Sequence, residues 1–370
     1  MKPLRLPLLD GLRGLAALYV VGYHAYCTSD CSLLGWRHTL PPLLEKALRW
    51  LLHGHLAVVV FIVLSGFCLM LPVAQRPDRQ LSGGFWRYLA RRARRILPAF
   101  FGASLVSLAC IAFVPGLGQP ANVYWDGSLP AFRTDVLLSH LFLVHNFDPA
   151  LASKINYPHW SVATEWQIYF FLPWLILPLW RRAGLAVSVL VTVALSVLPH
   201  FFIPQYADRA CVHFLGLFEL GAAGAVLAAS QSRAPWGALA AVTGVPLLLA
   251  MQFRHAVVEQ HWLLMDFLVG IATALLLLYA AKSERPAPLL RFLGSPAVVW
   301  LGAISYSLYL IHALVLASLH VVTRGFGLNS TATLAVMFAA GIPLAVLAAW
   351  GFHLLFEKPF LARRAAVIPR

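Results

Sequence analysis

Residues 9 to 24 read LDGLRGLAALYVVGYH, a stretch apolar enough for a membrane that nonetheless carries Asp10, Arg13 and His24. Arg13 and His24 are 11 residues apart. At about 100° per residue this comes within about 20° of three full turns, so a helix puts them on one face, roughly 16 Å apart along its axis. Asp10, three residues before Arg13, is spaced to pair with it at the helix mouth. A guanidinium at the entrance of a polar stripe that leads to an imidazole suits an anionic reactant entering from one side of a membrane. The competing reading is an Asp–Arg clamp with a histidine reaching towards water.

Two further clusters offer related chemistry. In FWRYLARRARRILPAF (85–100), Arg91 and Arg92 each share a helix face with Arg95, just before an apolar span. Guanidinium groups that converge at a membrane surface can clamp phosphates bidentately. Basic anchoring at the membrane surface explains the same residues as well, and for Arg87 and Arg94 it is the preferred reading. In YPHWSVATEWQIYFFLP (157–173), Ser161 lies four residues before Glu165 on one face, and Trp160 marks an interface. A lone carboxylate at that depth is expensive. Either an arginine on another helix pairs with Glu165, or it orients a histidine or a hydroxyl substrate. His312 ends ISYSLYLIH (304–312) inside a span, where a bond to a neighbouring helix explains it as well as a function does. Glu219 is one more interior charge with no role assigned, and FEKPF (356–360) reads as a stop and interfacial anchor.

The elements that hold these residues follow from composition. Hydrophobic residues make up 60% of the 370 and charged residues 11%, with a mean hydropathy of +0.77. Soluble domains sit near half apolar and a quarter charged. The pattern therefore predicts an all-α, polytopic membrane protein with about ten transmembrane helices in one bundle. The spans are 8–27, 52–72, 96–115, 160–181, 184–203, 210–230, 234–251, 262–281, 298–322 and 331–356. No domain boundary is visible, so residues 1–370 read as a single integral-membrane domain. The segment 135–147 is too short to span and reads as a helix lying in, or re-entering, the membrane.

The net charge of +14 is topological and does not indicate nucleic-acid binding. Of the lysines and arginines, 19 fall in loops on the side of both termini and 8 on the other. The positive-inside rule then makes both termini cytoplasmic, with contacts to anionic lipid adding to the effect. Three of the five cysteines fall within spans as small apolar residues. Cys27 and Cys31 lie at or beyond the outer end of the first span, where a disulfide is only weakly indicated. No cysteine–histidine spacing suggests zinc, and no metal is expected. The first span, with no small-residue cleavage site after it, reads as a retained helix.

Five stretches, in this order, resemble acyltransferase family 3 over nearly the whole chain. They are LDGLRGLAAL with Arg13 and, after ten intervening residues, His24; VFIVLSGFCL (60–69); RRARRILP (91–98); HWSVATEWQIYFFLP; and ISYSLYLIH. One departure is Val59 in AVVV (57–60), where the family usually has an aspartate before the second span. The resemblance implies an O-acyltransferase of the bacterial inner (plasma) membrane. It would move an acyl group, often acetyl, from cytoplasmic acyl-CoA to a hydroxyl of an extracytoplasmic carbohydrate or related glycoconjugate or glycolipid. His24 would be the general base and Glu165 would orient or charge-balance it. Arg13, Arg91, Arg92 and Arg95 would bind the acyl-CoA phosphates. Asp10, Trp160, Ser161 and His312 are further candidate substrate contacts. No tightly bound cofactor is implied, acyl-CoA being a substrate, and the partners are acyl-CoA, the acceptor and membrane lipid, without nucleic acid. An acyl-histidine intermediate at His24 is the rival route. From another class, a proton-coupled transporter or exporter would also use buried Asp, Arg, Glu and His residues.

Overall fold

The computed structural model describes residues 7–29, 40–121, 123–284 and 287–361, and the regular structure among them is entirely helical. The main helices are α1 (Pro7–Ser29), α2 (Gly54–Ala74), α3 (Gly84–Phe113), α4 (Tyr157–Ala183), α5 (Leu185–Phe202) and α6 (Phe214–Ala229). They continue with α7 (Trp236–Phe253), α8 (Trp262–Lys282), α9 (Pro296–Ala303), α10 (Ser305–Arg324) and α11 (Ser330–Phe360). Eight helical stretches among the described residues are long and apolar enough to cross a membrane. The eight do not include α6, apolar but only 16 residues long. Nor do they include α1, whose embedded Asp10, Arg13 and His24 lower its hydropathy. Leu190, Phe201, Val242 and Leu248 project from the outer faces of the bundle. Exposed apolar surface on this scale suits lipid, not water. The chain is a polytopic all-α membrane protein.

Two segments differ from the spans read in the sequence. The helix that carries the arginines starts at Gly84, so Arg87 to Arg95 are already helical before the apolar part begins. The expected span 298–322 is broken between α9 and α10 at Ile304. There the Ser305 hydroxyl donates to Gly302 O at 2.8 Å, taking a carbonyl that a continuous helix would use.

Glycines explain how α1 is seated. A Cβ on Gly11 would lie 1.9 Å from Leu293 O, and one on Gly14 would lie 2.6 Å from Gly302 N. In LDGLRG the two glycines thus let α1 press its backbone onto the α9 region. Small residues at such crossings are how membrane helices approach closely. α2 and α6 cross in the same way: a Cβ on Gly66 would meet Phe218 O at 2.0 Å, and one on Gly221 would meet Val63 O at 2.0 Å. α1 also packs against α2 and α10, so His24 faces residues from distant parts of the chain.

In segment 135–147, the helix Thr134–Leu141 and the turn His145–Phe147 leave Leu137, Leu138, Leu141, Phe142 and Phe147 exposed. His140 stacks on His145 at 3.9 Å on the inward side, against Phe100 of α3. An apolar outer face with a packed inner one fits a segment lying along a bilayer surface. Val59 is fully buried in the apolar core, where the family's aspartate would stand. Cys31 lies outside the described residues, and with it the Cys27–Cys31 pairing.

Candidate active site

The arginines come together because α3 and the start of α1 face the same cavity. Arg91, Arg92 and Arg95 line a cavity of about 610 Å³ together with Arg13 and Arg76. Arg87 and Arg94 are not among its lining residues. Arg13 bonds to Asp10 Oδ1 and to Cys68 Sγ, each at 3.2 Å. Arg76 pairs with Asp78 at 2.6 Å. In that exposed loop the hydrogen bonds from the Arg76 guanidinium hold the Asp78 carboxyl down at about 2. Arg91, Arg92 and Arg95 have no carboxylate within ion-pair distance among the described residues. Arg92 Nε is buried and without a hydrogen-bond partner. A cluster of cations whose countercharge is missing is a place for an anion.

Further in, Ser65, Cys68, Glu165 and Tyr169 line the walls, and Ser161, Phe61 and Tyr309 the deep end. Glu165 is the sole carboxylate among the lining residues. Its Oε1 accepts from Ser65 Oγ and Tyr169 OH, both at 2.6 Å. It makes no hydrogen bond to His24. Glu165 sits four residues before Tyr169 on α4, and that hydroxyl is the nearer partner.

His24 bonds to His312 instead. Its Nδ1 lies 2.8 Å from His312 Nε2, with the rings stacked 5.0 Å apart. His312 Nδ1 is 3.0 Å from Leu308 O, which can only accept, so that nitrogen carries the proton. With both rings neutral, His312 Nε2 is then an acceptor and His24 Nδ1 the donor. His24 Nε2 is left with its lone pair free. Tyr23, Tyr124 and Tyr157 surround the ring, with centroids 4.8, 5.9 and 4.8 Å away.

The histidine pair does not line the arginine cavity. Tyr309, which lines the cavity, has its ring 5.9 Å from that of His312. Its hydroxyl shares a 2.6 Å bond with Ser161 Oγ and lies 3.1 Å from Pro158 O. Tyr309 is thus both a lining residue of the cavity and a neighbour of the histidine pair.

The family profile described as Acyltransferase domain matches residues 6–354. The chain belongs to acyltransferase family 3. This membrane acyltransferase is 28% identical over 396 residues to the acyltransferase MdmB of Streptomyces mycarofaciens, covering 99% of this chain and 95% of that one. It is 27% identical over 201 residues to a Komagataeibacter xylinus protein named as the membrane-bound transacylase BcsY, covering 50% of this chain and 42% of that one. No solved structure gives a significant match.

The acyltransferase fold brings Arg13, Arg91, Arg92, Arg95, Ser161 and Glu165 to one cavity. It leaves Asp10 at the mouth as the partner of Arg13. Trp160 packs on Phe214 and does not line the cavity. Tyr169 and Tyr309 were not read from the sequence, though the signal was present. They lie four residues after Glu165 and three before His312, each on the helix face already under suspicion. Glu357 is also more than an interfacial anchor. It is buried, and Ser307 and His353 bond to its Oε2 at 2.6 and 2.8 Å. Glu219 is held by Ser188 at 2.7 Å, which ties α5 to α6.

Proposed function

We propose that this acyltransferase carries an acyl group, acetyl in the first instance, from acyl-CoA at the arginine end to a hydroxyl of a carbohydrate or glycoconjugate at the histidine end. The observation that supports this most is the set of three guanidinium groups without a carboxylate partner in one cavity, with Tyr309 of its lining packed near the His24–His312 pair. Arg91, Arg92 and Arg95, with Arg13, take the phosphates of the donor. The narrower part, past Ser65 and Glu165, takes the pantetheine arm. The roughly 16 Å of α1 between Arg13 and His24 is a span that such an arm can cover. The arginine end faces the cytoplasm of a bacterial inner membrane, as the distribution of basic residues favours.

In the reaction, Tyr309 swings aside and the thioester carbonyl meets the acceptor hydroxyl beside His24. Nε2 takes the hydroxyl proton as the oxygen attacks. The tetrahedral intermediate then collapses, breaking the C–S bond. The CoA thiolate leaves with the proton returned from His24, and the ester remains on the acceptor. His312 accepts the Nδ1 hydrogen bond and keeps His24 in the tautomer that this step needs.

Purified protein with radiolabelled acetyl-CoA, together with mass spectrometry of surface glycans from cells with and without the gene, tests the proposal. The expected result is an O-acyl ester that depends on the protein, with one CoA thiol released per ester formed. Unchanged glycan esters together with no turnover of acyl-CoA would overturn it.

A further inference from the structure

His53 immediately precedes α2, and Arg76 lies just beyond its other end. A 21-residue helix is roughly 31 Å long, so His53 belongs to the end of the bundle remote from the arginines. Its side chain is fully buried. Its Nε2 lies 3.3 Å from His255 Nδ1, while its Nδ1 has no hydrogen-bond partner and lies 3.8 Å from Glu259 Oε1. His255 and Glu259 are four residues apart on the short helix His255–Gln260, and so they share a face. Taking one ligand atom from each of the three residues, all lie within 4.8 Å of one another.

We propose that His53, His255 and Glu259 form a binding site for zinc. Two imidazoles and a carboxylate are a donor set that zinc takes with a fourth position left to water. Ligands about 2.1 Å from a tetrahedral ion lie roughly 3.4 Å apart. The two imidazoles already have that spacing. Glu259 completes the set by turning a carboxylate whose side chain is 57% exposed. Only one nitrogen of His53 can face the ion; with Nε2 taking that place, the Glu259 carboxylate must turn away from its position 3.8 Å from Nδ1. Asp266 nearby is engaged by His213 at 3.0 Å and His55 at 3.2 Å, which leaves it outside the ligand set. The ion would pin the start of α2 to the connection between α7 and α8, independently of the acyl-transfer site.

The test uses full-length, tag-free protein in detergent. Zinc binding is followed by competition with a chromophoric chelator, and thermal unfolding is recorded with and without zinc. His255→Ala and Glu259→Ala alter a partly exposed helix, so both variants should fold. The expected result is one zinc per chain, a melting temperature raised by zinc, and at least a tenfold loss of affinity in each variant. The double variant should show no zinc-dependent rise. Binding of less than one zinc per chain, or the same stoichiometry and affinity in the variants, would overturn the proposal.

Discussion

At the scale of single residues, the proposed chemistry rests on the pairing of His24 with His312. His24→Gln keeps a hydrogen-bonding side chain but cannot take a proton. The substitution should lower the rate of acyl transfer by at least 10²–10⁴-fold, the usual worth of general-base assistance. Steady-state transfer of radiolabelled acetyl groups measures it, and a near wild-type rate would remove His24 from the chemistry. His312→Gln can still offer an oxygen to His24 Nδ1, whereas His312→Leu cannot, so the glutamine variant should be the more active of the two. Arg95→Ala should act on the donor alone. Losing a charged hydrogen bond of about 1.5–3 kcal/mol should raise the apparent KM for acyl-CoA roughly 10- to 150-fold and leave that for the acceptor unchanged. An unaltered donor KM would return Arg95 to simple membrane anchoring. The arginines and His24 were legible in the sequence because helical spacing is local. The His24–His312 bond was not, since it joins residues 288 apart.

At the scale of elements, the α2–α6 crossing holds the cavity wall that carries Ser65 and Cys68. Gly66→Leu pushes a side chain into the Phe218 carbonyl, which an ideal Cβ would already meet at 2.0 Å. Overpacking of this kind typically costs about 1–3 kcal/mol. Gly351→Ala is the control, because a Cβ there meets nothing within 4 Å. Thermal unfolding in detergent should show a lowered melting temperature for Gly66→Leu and none for Gly351→Ala; equal behaviour would mean that the crossing tolerates separation. Most helices were visible as apolar runs, because lipid demands continuous hydrophobicity. The break at Ile304 was hidden, since SPAVVWLGAISYSLYLIH stays apolar through it and one serine hydroxyl and one tight glycine contact decide the matter. The same limit applies to Glu165. Its place on a buried face was readable, but its partners, Ser65 on another helix and Tyr169 on its own, were settled by packing.

At the scale of the whole molecule, the even number of crossings read from the sequence and the concentration of basic residues on one side predict that both termini are cytoplasmic. A reporter active only outside the cytoplasm, fused after Arg370, should stay silent, while one active only in the cytoplasm should give signal. The opposite pattern would place the arginine cavity on the wrong side to meet acyl-CoA. The two ends of the bundle also differ in chemistry. Guanidinium groups gather round the cavity mouth, whereas His53, His55, His213, His255, Glu259 and Asp266 gather at the remote end.

If the acyl group crosses the bilayer as proposed, the position of Tyr309 has a consequence for the cell and not only for catalysis. A protein that hands a chemical group across a bilayer holds polar surface on both sides of it, and a continuous wet path between them would let protons leak and dissipate the membrane potential. With its hydroxyl engaged by Ser161 and facing Pro158 O, the Tyr309 ring would interrupt that path on the proposed route. Only the arm itself, displacing the ring, need ever fill the gap. The tyrosine would then act as an electrical seal, opened by a substrate large enough to keep the hole stopped.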